Sequence, residues 1–111
     1  MWSPSVPQIT NVTYDNKGLA LSRIGKFTEA LECHKKSFEL NGKDEVNFTN
    51  TSMALGGLGR HEEAIENCEK ALEIDPNHVT AWNNKGYSLY NGYKFFFVEG
   101  GVIAEYYVWE T

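Results

Sequence analysis

The sequence predicts an all-α fold, a stack of antiparallel helix pairs, from three observations. The run Gly59-Arg60-His61-Glu62-Glu63-Ala64-Ile65-Glu66-Asn67-Cys68-Glu69-Lys70-Ala71-Leu72-Glu73-Ile74-Asp75-Pro76-Asn77 reads as a turn followed by one helix. Within it Ala64, Cys68, Ala71, Leu72 and Ile74 trace an apolar stripe at helical spacing. A step of 34 residues towards the N-terminus then carries Gly59 to Gly25, Ala64 to Ala30, Leu72 to Phe38 and Ile74 to Leu40. The same step relates Tyr14, Phe48 and Trp82, and Leu21, Leu55 and Leu89, so that three copies begin at Asn11, Glu45 and Val79. A period of this length marks supersecondary units that bury their apolar faces on one another.

Residues 1–10 hold two prolines and no periodicity, which predicts a disordered lead-in. The repeat domain spans 11–92 as copies 11–44, 45–78 and a partial 79–92, followed by an atypical tail, 93–111. In the first copy a helix is expected over 12–24, with Tyr14, Leu21 and Ile24 apolar and Gly18 and Ala20 permitting close approach. Gly25 breaks it, and Thr28 is the expected cap of a second helix over 28–40. That helix turns Ala30, Leu31, His34, Phe38 and Leu40 inward, and Asn41-Gly42 ends it. The second copy repeats the plan with helices near 46–58 and 62–74, the latter stopped by Pro76. The third copy supplies one helix, about 80–91, carrying Trp82, Lys85, Gly86, Tyr87, Leu89 and Tyr90.

Beyond residue 92 the period fails. Lys94-Phe95-Phe96-Phe97-Val98 and Val102-Ile103-Ala104-Glu105-Tyr106-Tyr107-Val108-Trp109 flank Glu99-Gly100-Gly101, and their aromatic and β-branched content suits a hairpin. A short helix over 102–109 and an abnormal, frameshifted or truncated end are the other two readings, and the sequence leaves all three open. Whichever holds, the tail is expected to cover part of the last helix, whose Trp82 and Leu89 lack the partner helix of complete copies.

An aromatic, a Gly, a large apolar residue, an Ala and a Pro in this order at a period of 34 resemble the tetratricopeptide repeat family. The residues that carry the resemblance are Tyr14, Lys17-Gly18, Leu21 and Ala30, then Ala64, Ala71 and Pro76, then Trp82, Lys85-Gly86 and Leu89. The resemblance implies a right-handed superhelical stack whose first helices line a concave groove. It implies a non-enzymatic protein-protein interaction module that binds a peptide segment of a partner. Asn16, Asn50 and Asn84 recur at the period, and in some members of the family asparagines at this place hold the backbone of an extended peptide. An amide suits that task because it offers a donor and an acceptor together; simple inheritance through duplication is the competing explanation.

Residues three and four positions away share the face of each asparagine. They add Asp15, Leu19 and Arg23, with Val12, in the first copy. Thr49 and Met53, with Val46 and Gly57, follow in the second, and Thr80, Asn83, Tyr87 and Tyr90, with Asn91, in the third. A subset of the family clamps acidic chaperone C-termini with Lys, Asn and Arg. The corresponding residues here are Asp15, Leu19, Asn50, Thr80 and Asn84; only Asn50 matches, which argues against that clamp.

A formal net charge of -5 provides no field for nucleic acid or an anionic membrane, so neither is an expected partner. Cys33 and Cys68 have neither metal-ligand nor disulfide spacing and read as reduced thiols of a cytoplasmic protein. The first residues lack the basic and apolar regions of a signal peptide. The glutamates of the second helices read as a solvated face, with Glu66 and Lys70, and Glu32 and Lys36, placed for i, i+4 pairs. His34, His61 and His78 are dispersed, so no catalytic constellation, metal site or cofactor is expected. The alternative role is structural: self-assembly, or a fragment of a longer array, dimerising through the aromatic tail.

Overall fold

The structure is a computed structural model that describes residues 10–40, 43–98 and 101–107; the Asn41-Gly42 helix stop and almost all of the lead-in lie outside them. Five helices follow in order: α1 (Asn11–Arg23), α2 (Phe27–Glu39), α3 (Glu45–Gly57), α4 (His61–Ile74) and α5 (Val79–Gly92). Two strands, β1 (Tyr93–Val98) and β2 (Gly101–Tyr107), complete the described chain.

Helices α1 and α2 pack as a pair, and so do α3 and α4. α3 also lies against α2 and α1, and α5 against α4 and α3, so each first helix is wedged onto the preceding pair. The turns within the two pairs are copies of one another. Gly25 (φ 83°) and Gly59 (φ 78°) take the left-handed conformation that a Cβ disfavours. Across them Lys26 N donates to Leu21 O at 2.8 Å and Arg60 N to Leu55 O at 2.9 Å. These turns also correct the expected cap: α2 starts at Phe27 and Thr28 lies inside its first turn, with no side-chain cap at Lys26. Backbone geometry suffices there, because Lys26 O already receives Ala30 N at 3.0 Å. Side-chain caps occur instead at the starts of the first helices α1 and α3. Thr10 accepts from Thr13 N at the start of α1, and Asp44 accepts from Asn47 N at 2.8 Å at the start of α3.

Small side chains dominate the core. Ala30, Ala54, Ala64, Cys68, Ala71 and Ala81 are fully buried, which lets the helix backbones approach closely. In α2 the buried stripe is Ala30, Cys33, His34 and Ser37, whereas Phe38 and Leu40, expected inside, are 38% and 47% exposed. Both sit at the end of the helix; Phe38 turns instead to α3, where its ring meets Phe48 edge-on at 6.2 Å between centroids.

The tail backbone forms an antiparallel hairpin with Tyr93 opposite Tyr107 and Val98 opposite Gly101. Phe96 pairs with Ala104 and Phe97 with Val102, so Ile103 is the extra residue of a bulge. Trp82 of α5 is 52% exposed and Leu89 half-buried; the tail side chains expected to cover them lie outside the described residues. At Gly86 an added Cβ would meet nothing within 4 Å, whereas at its equivalent Gly18 it would strike the His34 ring of α2. Among the described residues, no helix therefore packs on the face of α5 that would receive a following one.

Candidate functional site

A groove runs across α1, α3 and α5. Leu19 and Arg23 of α1, Val46, Thr49, Asn50 and Met53 of α3, and Thr80 and Asn84 of α5 line a hollow of about 310 Å³, together with His78 from the connection before α5. Met53 and Asn84 also line a neighbouring hollow of about 280 Å³, where Phe27, Ser52, Gly57, Tyr87 and Ser88 join them. The shared residues make the two hollows one trough. Its first part holds Arg23 and His78 but no carboxylate, and it has an apolar strip of Leu19, Val46 and Met53.

Eight of the residues expected at a groove thus meet in the first hollow: Leu19, Arg23, Val46, Thr49, Asn50, Met53, Thr80 and Asn84. The three asparagines differ in state. Asn50 is half-buried in the hollow and its amide makes no hydrogen bond among the described residues. Asn16 is exposed and lies outside the hollow's lining. Asn84 is half-buried, and its Nδ2 donates to Thr49 O and Ser52 Oγ, each at 3.2 Å, so its donor side is occupied in tying α5 to α3. Tyr87 is 56% exposed beside the second part of the trough, while Asn83 and Tyr90 are exposed without lining either hollow.

Asp15 is the clear departure from a groove position. It is only 4% exposed, and its Oδ1 accepts from Asn47 Nδ2 at 3.0 Å and lies 3.0 Å from His34 Nδ1. Asn47 Nδ2 also donates to His34 O at 3.0 Å, so one polar cluster joins α1, α2 and α3. Thr49 is likewise buried; its hydroxyl donates to Glu45 O within its own helix, leaving only its surface at the floor of the groove. A helical wheel placed both outside because it allows each helix one packed side. α1 meets α2 and α3, and α3 meets α1, α2, α4 and α5.

Burial shifts protonation at two side chains in these packed layers. Burial holds the His34 pKa below its ordinary value, against the opposing hydrogen bond and charge of Asp15. Burial also raises the Cys68 thiol, against a hydrogen bond from Ser52, so it stays protonated and poorly nucleophilic. Among the described residues no group of three or more His, Cys, Asp or Glu is placed to hold a metal ion. Among them, too, no helix is long and apolar enough to cross a membrane. Sequence reasoning missed His78, the last residue of the second copy in the connection before α5, and Asn47 and Ser52, whose polarity gave no sign of burial.

A stack of antiparallel helix pairs with a trough along its first helices defines the class of molecule as a helical repeat. Models of the tetratricopeptide repeat match residues 12–43, 53–78 and 67–95, and the chain belongs to that family. Solved structures of similar fold include the second tetratricopeptide domain of Spaghetti (RPAP3) bound to the HSP90 peptide SRMEEVD. It has a TM-score of 0.67 and 23% identity, over 71% of this chain and 73% of that one. Another is the second such domain of human RPAP3 in complex with the HSP70 peptide SGPTIEEVD, at a TM-score of 0.66 and 22% identity over 73% and 68% of the two chains. No curated protein matches the chain.

Proposed function

We propose that the chain is a non-enzymatic binding module whose trough holds an extended segment of a partner protein. The observation that carries this reading is the unpartnered Asn50 amide, half-buried midway along a hollow of about 310 Å³. A half-buried amide without partners is costly unless water or a ligand satisfies it, and a peptide N–H and C=O match its donor and acceptor. The two structures of similar fold hold acidic peptides that share the ending Glu-Glu-Val-Asp. The feature that selects the segment here is the apolar strip of Leu19, Val46 and Met53, against which apolar side chains pack beside Arg23 and His78. Selection from a displayed peptide library, followed by titration of the selected peptide, tests the reading. Asn50→Ala should weaken that peptide about tenfold, equivalent to roughly 1.4 kcal/mol, while shifting stability by no more than ~0.5 kcal/mol. Equal affinity for the variant would remove the trough from the account.

The exposed Trp82 of α5 supports self-association as a second reading, since among the described residues no helix lies over Trp82 and Gly86. Light scattering at increasing concentration should show a mass increase that Trp82→Gln abolishes. A strict monomer refutes it.

A further inference from the structure

We propose that the chain carries a second binding surface, on the other face of α3, that takes an acidic peptide segment bearing an aromatic or large apolar side chain. The groove uses Val46, Asn50 and Met53 of α3; the second surface uses Phe48, Thr51 and Leu55, which floor a separate cleft of about 310 Å³ between α2 and α4. This proposal is independent of the groove reading.

Three observations define the ligand. The first is charge. Lys35 of α2, and Arg60 and Lys70 beside and on α4, line the cleft against a single carboxylate, Glu63. Glu63 is already taken, because Arg60 holds it through both Nε and a terminal nitrogen. Lys35 and Lys70 have no carboxylate partner among the described residues. The cleft thus presents two uncompensated cations on a chain whose formal net charge is -5.

The second observation is where Lys70 points. The sequence offers it Glu66 at i, i+4, yet that pair does not form; the ammonium lies 5.9 Å from the centroid of the Phe48 ring at the cleft floor. Glu32 and Lys36 likewise do not pair, and Lys36 lies over Tyr14. An ammonium on an aromatic face keeps its remaining donors for a further acceptor. The third observation is apolar surface: Phe38 is 38% exposed beside Phe48, under the Lys43 ammonium at 5.1 Å. An aromatic side chain can pack on this pair while a neighbouring carboxylate reaches Lys70 or Lys35. The same arithmetic argues against a polyanion, since two local cations do not outweigh the repulsion of a net acidic chain.

The test titrates the isotopically labelled full chain with acetyl-Glu-Phe-Glu-Glu-amide, following backbone amide shifts. The expected result is perturbation at Phe48, Thr51, Asn67 and Lys70 with little at Asn50 and Met53. Affinity should be about fivefold weaker for the Gln-Phe-Gln-Gln analogue and for the double variant Lys35→Gln/Lys70→Gln, whose circular dichroism stays unchanged. Several results overturn the proposal: shifts confined to the groove, equal binding of the neutral analogue, equal binding by the double variant, or no shift at millimolar peptide. Inorganic phosphate reproducing the same shifts at equal concentration also overturns it, because the cleft would then be an unselective anion site.

Discussion

Gly18 and Gly86 occupy the same place in their repeats, yet alanine should have opposite effects at the two. A Cβ at Gly18 would lie 2.5 Å from Cε1, 2.8 Å from Nε2 and 2.9 Å from Nδ1 of His34. That ring cannot swing aside freely: it is 1% exposed, and Nδ1 is held by Asp15. Overpacking of this kind costs about 1–3 kcal/mol, and displacing the ring also strains the bond to Asp15. The helix-propensity gain on replacing glycine returns about 1 kcal/mol. Gly18→Ala should therefore destabilise the fold by up to roughly 2 kcal/mol, at about 4–8 °C in melting temperature per kcal/mol. At Gly86 no atom of the described residues lies within 4 Å of the added carbon, so only the propensity gain remains. Gly86→Ala should stabilise by up to about 1 kcal/mol.

Urea unfolding followed by circular dichroism at the helix band measures both variants. A third measurement isolates the cause. His34→Ala alone should be costly because it leaves Asp15 buried with one partner fewer, but within that background Gly18→Ala should become neutral or stabilising. If Gly18→Ala is as destabilising without the His34 ring as with it, the clash is not the mechanism. If Gly86→Ala destabilises as much as Gly18→Ala, then the face of α5 is covered in solution.

Two further predictions concern the polar contacts. His34 titrates below 6.5 in the folded chain because burial outweighs the help of Asp15. The unfolded chain therefore takes up the proton first as pH falls; the contribution of neutral His34 is full above about 6.5 and declines as pH drops through that value towards the folded pKa. His34→Gln should flatten this part of a stability-against-pH profile, and an unchanged slope would assign it to other groups. Asn84→Ala removes the bonds to Thr49 O and Ser52 Oγ and should cost about 1 kcal/mol in urea unfolding, against ~0.5 kcal/mol or less for Asn50→Ala. Equal costs would mean that Asn84 belongs to the ligand surface rather than to the α3–α5 contact.

The difference between Asn50 and Asn84 also shows what the sequence could carry. Periodicity placed the helix pairs and the turn glycines because a repeat must reproduce its backbone to stack, and Gly25 and Gly59 adopt nearly the same φ. Side-chain partners need not repeat. Beneath the same step of 34, Asp15 gives way to Thr49 and His34 to Cys68, so the first interface is closed by Asp15, His34 and Asn47. The second is closed by Thr49, Ser52 and Asn84. A wheel drawn for one amphipathic face assigns such polar residues to solvent, although α3, wedged among four helices, buries Asn47, Thr49 and Ser52 as well as Ala54 and Leu55. Buried polar groups demand specific partners, and an interface sealed by mostly small apolar residues can slide with less penalty than one that must keep Asn47 on both Asp15 and His34 O. On this argument the two unlike polar clusters fix which surfaces of successive repeats meet. Of the three recurring asparagines, Asn50 is the one that lines the trough with its amide used by neither cluster.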